Sequence, residues 1–200
     1  MLETLGRTDI YLIDQMMRGR ILPGMKVLDA GCGSGRNSEF LVNEGYDVSG
    51  FDLSRDVIQH VHQIGTDWGE AFEPNNFKVG NLVDIPFSDQ EFDFVICMAV
   101  LHFAENRAHF SEMIRELVRV LKPKGILWFR MTTKHTIVHL AQHVDDDVYS
   151  IPDGSTRYLL DRSYLEKLMV DLGLEYADTF KTVNVNDIRS MCVVALRKEV

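Results

Sequence analysis

Residues 27–37 read VLDAGCGSGRN, a short apolar run containing an acid, followed by three glycines, Gly31, Gly33 and Gly35, at alternate positions. A glycine-rich turn between strand and helix brings backbone N–H groups close to a ligand, because residues without a side chain permit tight dihedrals and close approach. The dinucleotide fingerprint G-x-G-x-x-G would need glycine or alanine at position 36, where Arg36 stands, and Gly35 comes one place early. Asp29, two residues before Gly31, would face the ligand. Its charge is unfavourable beside a pyrophosphate and favourable beside an ammonium or sulfonium. The loop therefore suits an adenosine cofactor without phosphates, carrying positive charge near the glycines.

Around this loop the apolar period alternates between two values. Residues 25–30, 46–51, 76–80, 92–98 and 125–131 are short, rich in Val, Ile and Phe, and bounded by turn formers, which predicts strands. Val57, Ile58, Val61 and Ile64 recur at helical spacing after Ser54, and Phe110, Met113, Ile114, Leu117 and Leu121 do so before Pro123 and Gly125. Ser163 and Glu166 have the spacing of a capping box opening a third helix, which Gly173 stops. Two β-like runs, 174–183 and 190–197, follow, joined by turn formers at Asn184 to Asp187. An α/β fold with a parallel sheet is expected, with ligands gathered at the C-terminal strand ends near the topological switch point. Phe92, Phe94 and Phe110 read as core residues.

The 200 residues fit one domain, and the 46% hydrophobic share is ordinary for a globular protein. A formal charge of −9 with no run of Lys or Arg argues against nucleic acid as a partner. Cys32, Cys97 and Cys192 show no zinc-like spacing and an odd count, which suits a reducing cytoplasm. No signal-peptide pattern opens the sequence and no apolar run approaches the ~20 residues that cross a bilayer, so a soluble, unexported protein without a membrane partner is expected.

VLDAGCGSGRN, GFDLS, VGNLVDIPFSDQEFDFVICMAVLHF and LKPKGILWFR resemble, in this order, the successive motifs of the class I S-adenosylmethionine-dependent methyltransferases. The resemblance covers about residues 20–131. Gly-Arg-Asn-Ser after the loop and Gly-Tyr-Asp-Val in the second strand are similar to the tellurite-resistance and thiopurine-type enzymes, and PFSDQEFD to the ubiquinone-biosynthesis-like group. The resemblance implies a Rossmann-like doubly wound sandwich: a seven-stranded, mostly parallel sheet with an antiparallel C-terminal strand and helices on both faces. It also implies S-adenosyl-L-methionine as cofactor and S-adenosyl-L-homocysteine as product. Asp29, Gly31, Cys32, Gly33, Gly35 and Asn37 would surround the methionine portion. Asp52 would accept from the ribose hydroxyls and Leu53 would pack on the adenine. Asn81 stands where the family often has an acid for the adenine amino group, and its amide oxygen can still accept that bond. Leu82 would offer a backbone N–H, and Met98, Ala99 and Val100 would pass beneath the cofactor. Asp84 fits a solvated loop acid equally well.

Methyl transfer is an in-line displacement with an activated leaving group, so positioning and desolvation can supply much of the catalysis. A base is needed only if the nucleophile holds its proton. His102, in MAVLHF, would face the transferable methyl and suits a base, and equally suits a pocket wall or a helix cap. Arg130 could hold an anionic substrate or pair with a neighbouring carboxylate. His135, His139 and His143 share one face if 135–143 is helical, yet three ligands on one helix would span about 12 Å, too far for one ion. An exposed lid helix without metal is expected, although two of these histidines with Asp145 or Asp146 would have ligand-like chemistry. The segment 132–162 replaces a short connection and reads as a substrate lid, with Tyr149, Arg157 and Tyr158 as contacts. A helix within residues 1–20, through Tyr11, would close the other side.

No Asn/Asp-Pro-Pro-Tyr/Phe motif follows the fourth strand, where Cys97 to Val100 stand, and Cys97 lacks the Pro-Cys context of cytosine C5 enzymes. A small molecule is therefore the expected acceptor. The alternatives are a catalytically silent cofactor- or partner-binding protein and a NAD-dependent oxidoreductase. Oligomeric state is not encoded in these patterns.

Overall fold

The computed structural model describes residues 6–199; residues 1–5 and 200, which fall within the expected single domain and N-terminal segment, lie outside the described residues. Strands β1 (Lys26–Ala30), β2 (Asp47–Asp52), β3 (Phe77–Val79), β4 (Phe92–Met98) and β5 (Leu121–Thr132) are parallel. After them come β6 (Gln142–Asp145), β7 (Val148–Ser150), β8 (Thr156–Tyr158), β9 (Leu174–Tyr176), β10 (Lys181–Val185) and β11 (Arg189–Lys198). The main sheet runs β10-β11-β5-β4-β1-β2-β3, with β11 antiparallel to β5. The seven strands of that path match the expected architecture. An eighth, β9, pairs with the end of β11 because the run 174–183 is broken in two at 177–180.

Alternate residues of the central strands feed two separate cores. Leu28, Val95, Cys97, Leu127 and Phe129 point to one face, beneath the helices Arg107–Val120 and Arg162–Leu172. Val27, Phe94, Ile96, Ile126 and Trp128 point to the other, beneath Ile10–Met17, Arg36–Asn43 and Arg55–Ile64. Near-continuous apolar runs are what strands covered on both faces require. Phe92, Phe94 and Phe110 are buried, as expected. Ser54 caps its helix by accepting from Val57 N–H. The capping-box reading of Ser163 is corrected: Asp161 is the N-cap, and its carboxylate accepts both the backbone N–H and the hydroxyl of Ser163.

Between Thr132 and the helix that begins at Arg162, the segment contains no α-helix. After a single 3-10 turn at Val138–Leu140 it folds into a small antiparallel sheet, β6-β7-β8, over Ile137, Ile151 and Leu159. The reading of His135, His139 and His143 as one helical face is therefore wrong. His143 lies in β6, His139 in the 3-10 turn and His135 before it, and all three are exposed. Among the described residues no group of three His, Cys, Asp or Glu side chains is arranged to hold a metal ion. The small sheet is tied down where it leaves and rejoins the body. Thr132 and Thr133 donate their hydroxyls to Tyr158 and Leu160 carbonyls, and buried Asp147 accepts from Arg107 and Lys134. Among the described residues no helix is long and apolar enough to cross a membrane.

Candidate active site

A cavity of about 870 Å³ opens at the C-terminal ends of β1, β2 and β4, where the strand order reverses between β1 and β4. This is the switch-point crevice of an open α/β sheet. Gly31, Gly33 and Gly35 all have positive φ, of 73°, 53° and 76°. They carry the chain from β1 into the helix Arg36–Asn43. A Cβ on Gly31 would lie 2.5 Å from Val100 and one on Gly35 would lie 2.2 Å from Trp68, so these two glycines exist for packing. A Cβ on Gly33 meets no atom within 4 Å, and Gly33 lines the cavity. Gly35 serves as helix N-cap without a side-chain bond, and in the first turn Ser38 N–H is taken by the Asp29 carboxylate.

Two carboxylates stand in the wall. Asp29 is 2% exposed, accepts the Ser38 hydroxyl at 2.8 Å, and is pushed up to about 6 by burial, which outweighs the Ser38 bond and nearby Arg36. Asp52 accepts Gly33 N–H at 3.1 Å and Ser54 N–H at 3.0 Å, which aims its carboxylate across the glycine loop. Arg36 brings a cation to the same wall and donates to Met98 Sδ at 2.9 Å. Asn37 also lines the cavity; its Oδ1 accepts Asp9 N–H, tying the N-terminal helix cap to the loop. Beyond Asp52, Leu53 is 72% exposed, while Leu82 is buried and Asn81 folds its own turn by accepting Val83 N–H. Ala99 holds a φ of 59° at the end of β4, between Met98 and Val100.

Asp29, Gly31, Cys32, Gly33, Asn37, Asp52, Leu53, Asn81, Leu82, Met98, Ala99 and Val100 thus line one cavity, and Gly35 supports it from behind. The cysteines are unpaired and buried, with thiols pushed upward by that burial, which makes thiolate chemistry inaccessible near neutrality.

The residues expected to meet an acceptor fare differently. His102 does not line the cavity. It sits on the 3-10 turn Leu101–Phe103, whose successive residues point about 120° apart, and the one that faces out is Phe103, 57% exposed. His102 itself is 8% exposed, with burial and nearby Arg157 and Arg189 lowering it to about 4. Tyr158 is fully buried, stacked on Phe110 at 5.0 Å, and is a core residue rather than a contact. Tyr149 packs within the small sheet, edge-on to His143 at 5.1 Å. Arg130 pairs with Asp9 at 2.8 Å under the ring of Tyr11, so its charge is spent on holding the N-terminal helix. Arg157 alone of the lid set reaches the rim, with its guanidinium 4.8 Å from the ring centre of Phe103.

The cavity wall also contains Phe103, Glu105, His109 and Met113, which the motif pattern did not single out. Asn106 caps the helix Arg107–Val120 by accepting His109 N–H, so His109 belongs to its first turn. A helix following a strand starts at that strand's C-terminal edge, and polar residues of its first turn fall beside the crevice. That cap was the available signal. His109 Nδ1 accepts Glu105 N–H at 3.3 Å, so the neutral ring carries its proton on Nε2.

A sheet of this order with a glycine-lined crevice at its switch point defines an open, doubly wound α/β fold with its ligand-sized cavity at the strand-order reversal. The chain belongs to the methyltransferase domain family, whose model matches residues 28–129. It is 29% identical over 135 residues to the candidate methyltransferase YqeM of Bacillus subtilis, covering 67% of this chain and 52% of that protein. It is 31% identical over 105 residues to the ubiquinone biosynthesis O-methyltransferase of Rickettsia bellii, covering 51% of this chain and 40% of that enzyme. The chain spans about half the length, or less, of the curated relatives it matches. In structure it is similar to a Pyrococcus horikoshii protein, with TM-score 0.73, 21% identity and coverage of 94% and 89% of the two chains. It is also similar to the magnesium protoporphyrin IX methyltransferase of Synechocystis with bound SAM, with TM-score 0.71, 20% identity and coverage of 94% and 77%. At these identities the likeness is one of fold.

Proposed function

We infer that the protein is an S-adenosylmethionine-dependent methyltransferase acting on a small-molecule acceptor. The observation that carries this reading is the buried carboxylate of Asp29 beside open space over Gly33. A buried carboxylate in a ligand crevice calls for a cationic partner, and a dianionic pyrophosphate would aggravate its cost. When bound, S-adenosylmethionine supplies a methyl group activated on a sulfonium. Its methionine end carries one ammonium and one carboxylate, which Asp29 and Arg36 match in sign; Asp52 holds the ribose, and Leu53 and Leu82 flank the adenine. The family membership supports the same reading.

The rest of the work is orientation and exclusion of water by Met98, Val100 and Phe103. The exposed ring of Phe103 with Arg157 over it offers an acceptor an apolar face and a cation at the rim. A volume of about 870 Å³ lies within the ~300–1,000 Å³ range of small-molecule sites, and the similar Synechocystis enzyme is named for a small-molecule acceptor. His109 replaces His102 as the imidazole able to touch that acceptor. With its proton on Nε2 it donates a hydrogen bond to an acceptor oxygen, and it becomes a base if the bond to Glu105 N–H is released.

Two substitutions test these roles. Asp52→Ala weakens S-adenosylhomocysteine binding by about 1–3 kcal/mol, since it removes both a charged ribose acceptor and the Gly33 N–H partner. Calorimetry showing unchanged affinity in a folded variant would refute the ribose assignment. His109→Ala lowers turnover by roughly 10²-fold with S-adenosylhomocysteine affinity unchanged, while His102→Ala leaves turnover near wild type. A reversed pattern in single-turnover rates would return the role to His102.

A further inference from the structure

A second cavity, of about 340 Å³, lies at the opposite edge of the sheet, among the N-terminal ends of the parallel strands. Arg18, Arg20, Lys124 and Arg197 line it, with Asp93 as the one acid among the lining residues. In a chain of net charge −9 such a surplus of cations is conspicuous.

Two of the four are already engaged. Arg18, Arg20 and Lys181 share the carboxylates of Asp14 and Asp178, three cations to two anions. Asp93 is taken by Lys122 at 2.8 Å and by Lys26 N–H at 2.9 Å. Lys124 and Arg197 make no ion pair among the described residues, and Arg197 Nε is buried without a hydrogen-bond partner. Glu175 is the cross-strand neighbour of Arg197 on β9 but forms no ion pair with it. Nε itself is covered, so what Arg197 can present to the pocket it lines is its terminal nitrogens, which make no hydrogen bond among the described residues.

Lys124 adds an independent sign. It holds a φ of 67°, a conformation that suits glycine or asparagine and disfavours lysine. A glycine would build this turn with less strain, yet the chain places a lysine there, in the wall of the same pocket.

We propose that this basal pocket binds a phosphate or soluble phosphomonoester anion, held by the guanidinium of Arg197 and the ammonium of Lys124 beside Arg18 and Arg20. A guanidinium fork matches phosphate oxygens, and several surplus cations favour a dianion over a simple carboxylate. The site stands apart from the methyltransferase reading, because none of its lining residues belongs to the larger cavity.

The test is the melting temperature of the full chain in sodium phosphate against sodium acetate and sodium chloride at equal ionic strength, repeated with glycerol 3-phosphate. Phosphate and glycerol 3-phosphate should raise it saturably, by roughly 3–6 °C at tenfold excess over the dissociation constant. Lys124→Asn should melt at the wild-type temperature or higher in chloride, because asparagine tolerates that backbone, and should lose the phosphate-dependent rise. Arg197→Gln should lose the rise as well. An equal rise in acetate, no rise in the wild type, or a rise kept by both variants would each overturn the site. Co-sedimentation with phosphatidate vesicles without a rise in soluble phosphate would overturn it in favour of a membrane surface.

Discussion

Asp29→Asn melts at a higher temperature than the wild type and binds S-adenosylmethionine about 2–3 kcal/mol more weakly, a loss of roughly 30- to 150-fold. Both effects have one source. Asp29 is almost fully buried, and burial lifts it from 3.8 to about 6. A group whose folded value is raised favours folding while it is protonated, so this contribution is present at low pH and is lost as pH rises from about 4 to about 6. Above that window the ionised carboxylate costs the ligand-free fold about 3 kcal/mol. The amide avoids this cost and still accepts the Ser38 hydroxyl, and it offers no charge to an ammonium or sulfonium. In the wild type, cofactor binding needs the ionised form, so affinity should fall about tenfold per pH unit below pH 6 and be level above it. The Asn variant should show no such slope. A variant that binds as tightly as the wild type would remove the electrostatic basis of the site.

The glycines of the loop should separate folding from binding. Gly35→Ala places a methyl 2.2 Å from Trp68 at a φ of 76°, and should cost about 2–4 kcal/mol of stability from backbone strain and overpacking. Gly33→Ala pays only about 1 kcal/mol for its backbone, because its methyl meets no protein atom within 4 Å. That methyl occupies the wall where the cofactor would approach, so binding should weaken by roughly 10- to 100-fold. Thermal melts and calorimetry on the two variants check this directly. Equal loss of stability in both would mean that the space over Gly33 is not held open for a ligand.

The gathering of these residues around one cavity was legible in the sequence because its determinants are local. Strand ends, glycines and the acids at Asp29 and Asp52 occupy fixed offsets within short motifs, and the parallel order of the strands brings those motifs to one edge. The acceptor end was not, since it depends on which way a side chain leaves a turn. His102 and Phe103 are adjacent, and only the 3-10 geometry decides that Phe103 faces out. Tyr158 reads as a polar aromatic of a lid, whereas its stacking on Phe110 puts it in the core. The four-residue spacing of His135, His139 and His143 imitates a helix, but no continuous apolar stripe accompanies it: Ile137 is buried while Val138 and Leu140 are exposed. Pro152-Asp153-Gly154-Ser155 was the better signal. It forms the β7–β8 turn, with Ser155 N–H donating to the Asp153 carboxylate and Gly154 at a φ of 84°.

The central claim is that the switch-point cavity holds a phosphate-free, cationic adenosine cofactor. Calorimetric titration of the full chain near neutral pH with S-adenosylmethionine, S-adenosylhomocysteine and NAD tests it most directly. Saturable single-site binding of both S-adenosyl compounds, with no heat from NAD, is the predicted result. Tight binding of NAD with no response to either S-adenosyl compound would contradict it.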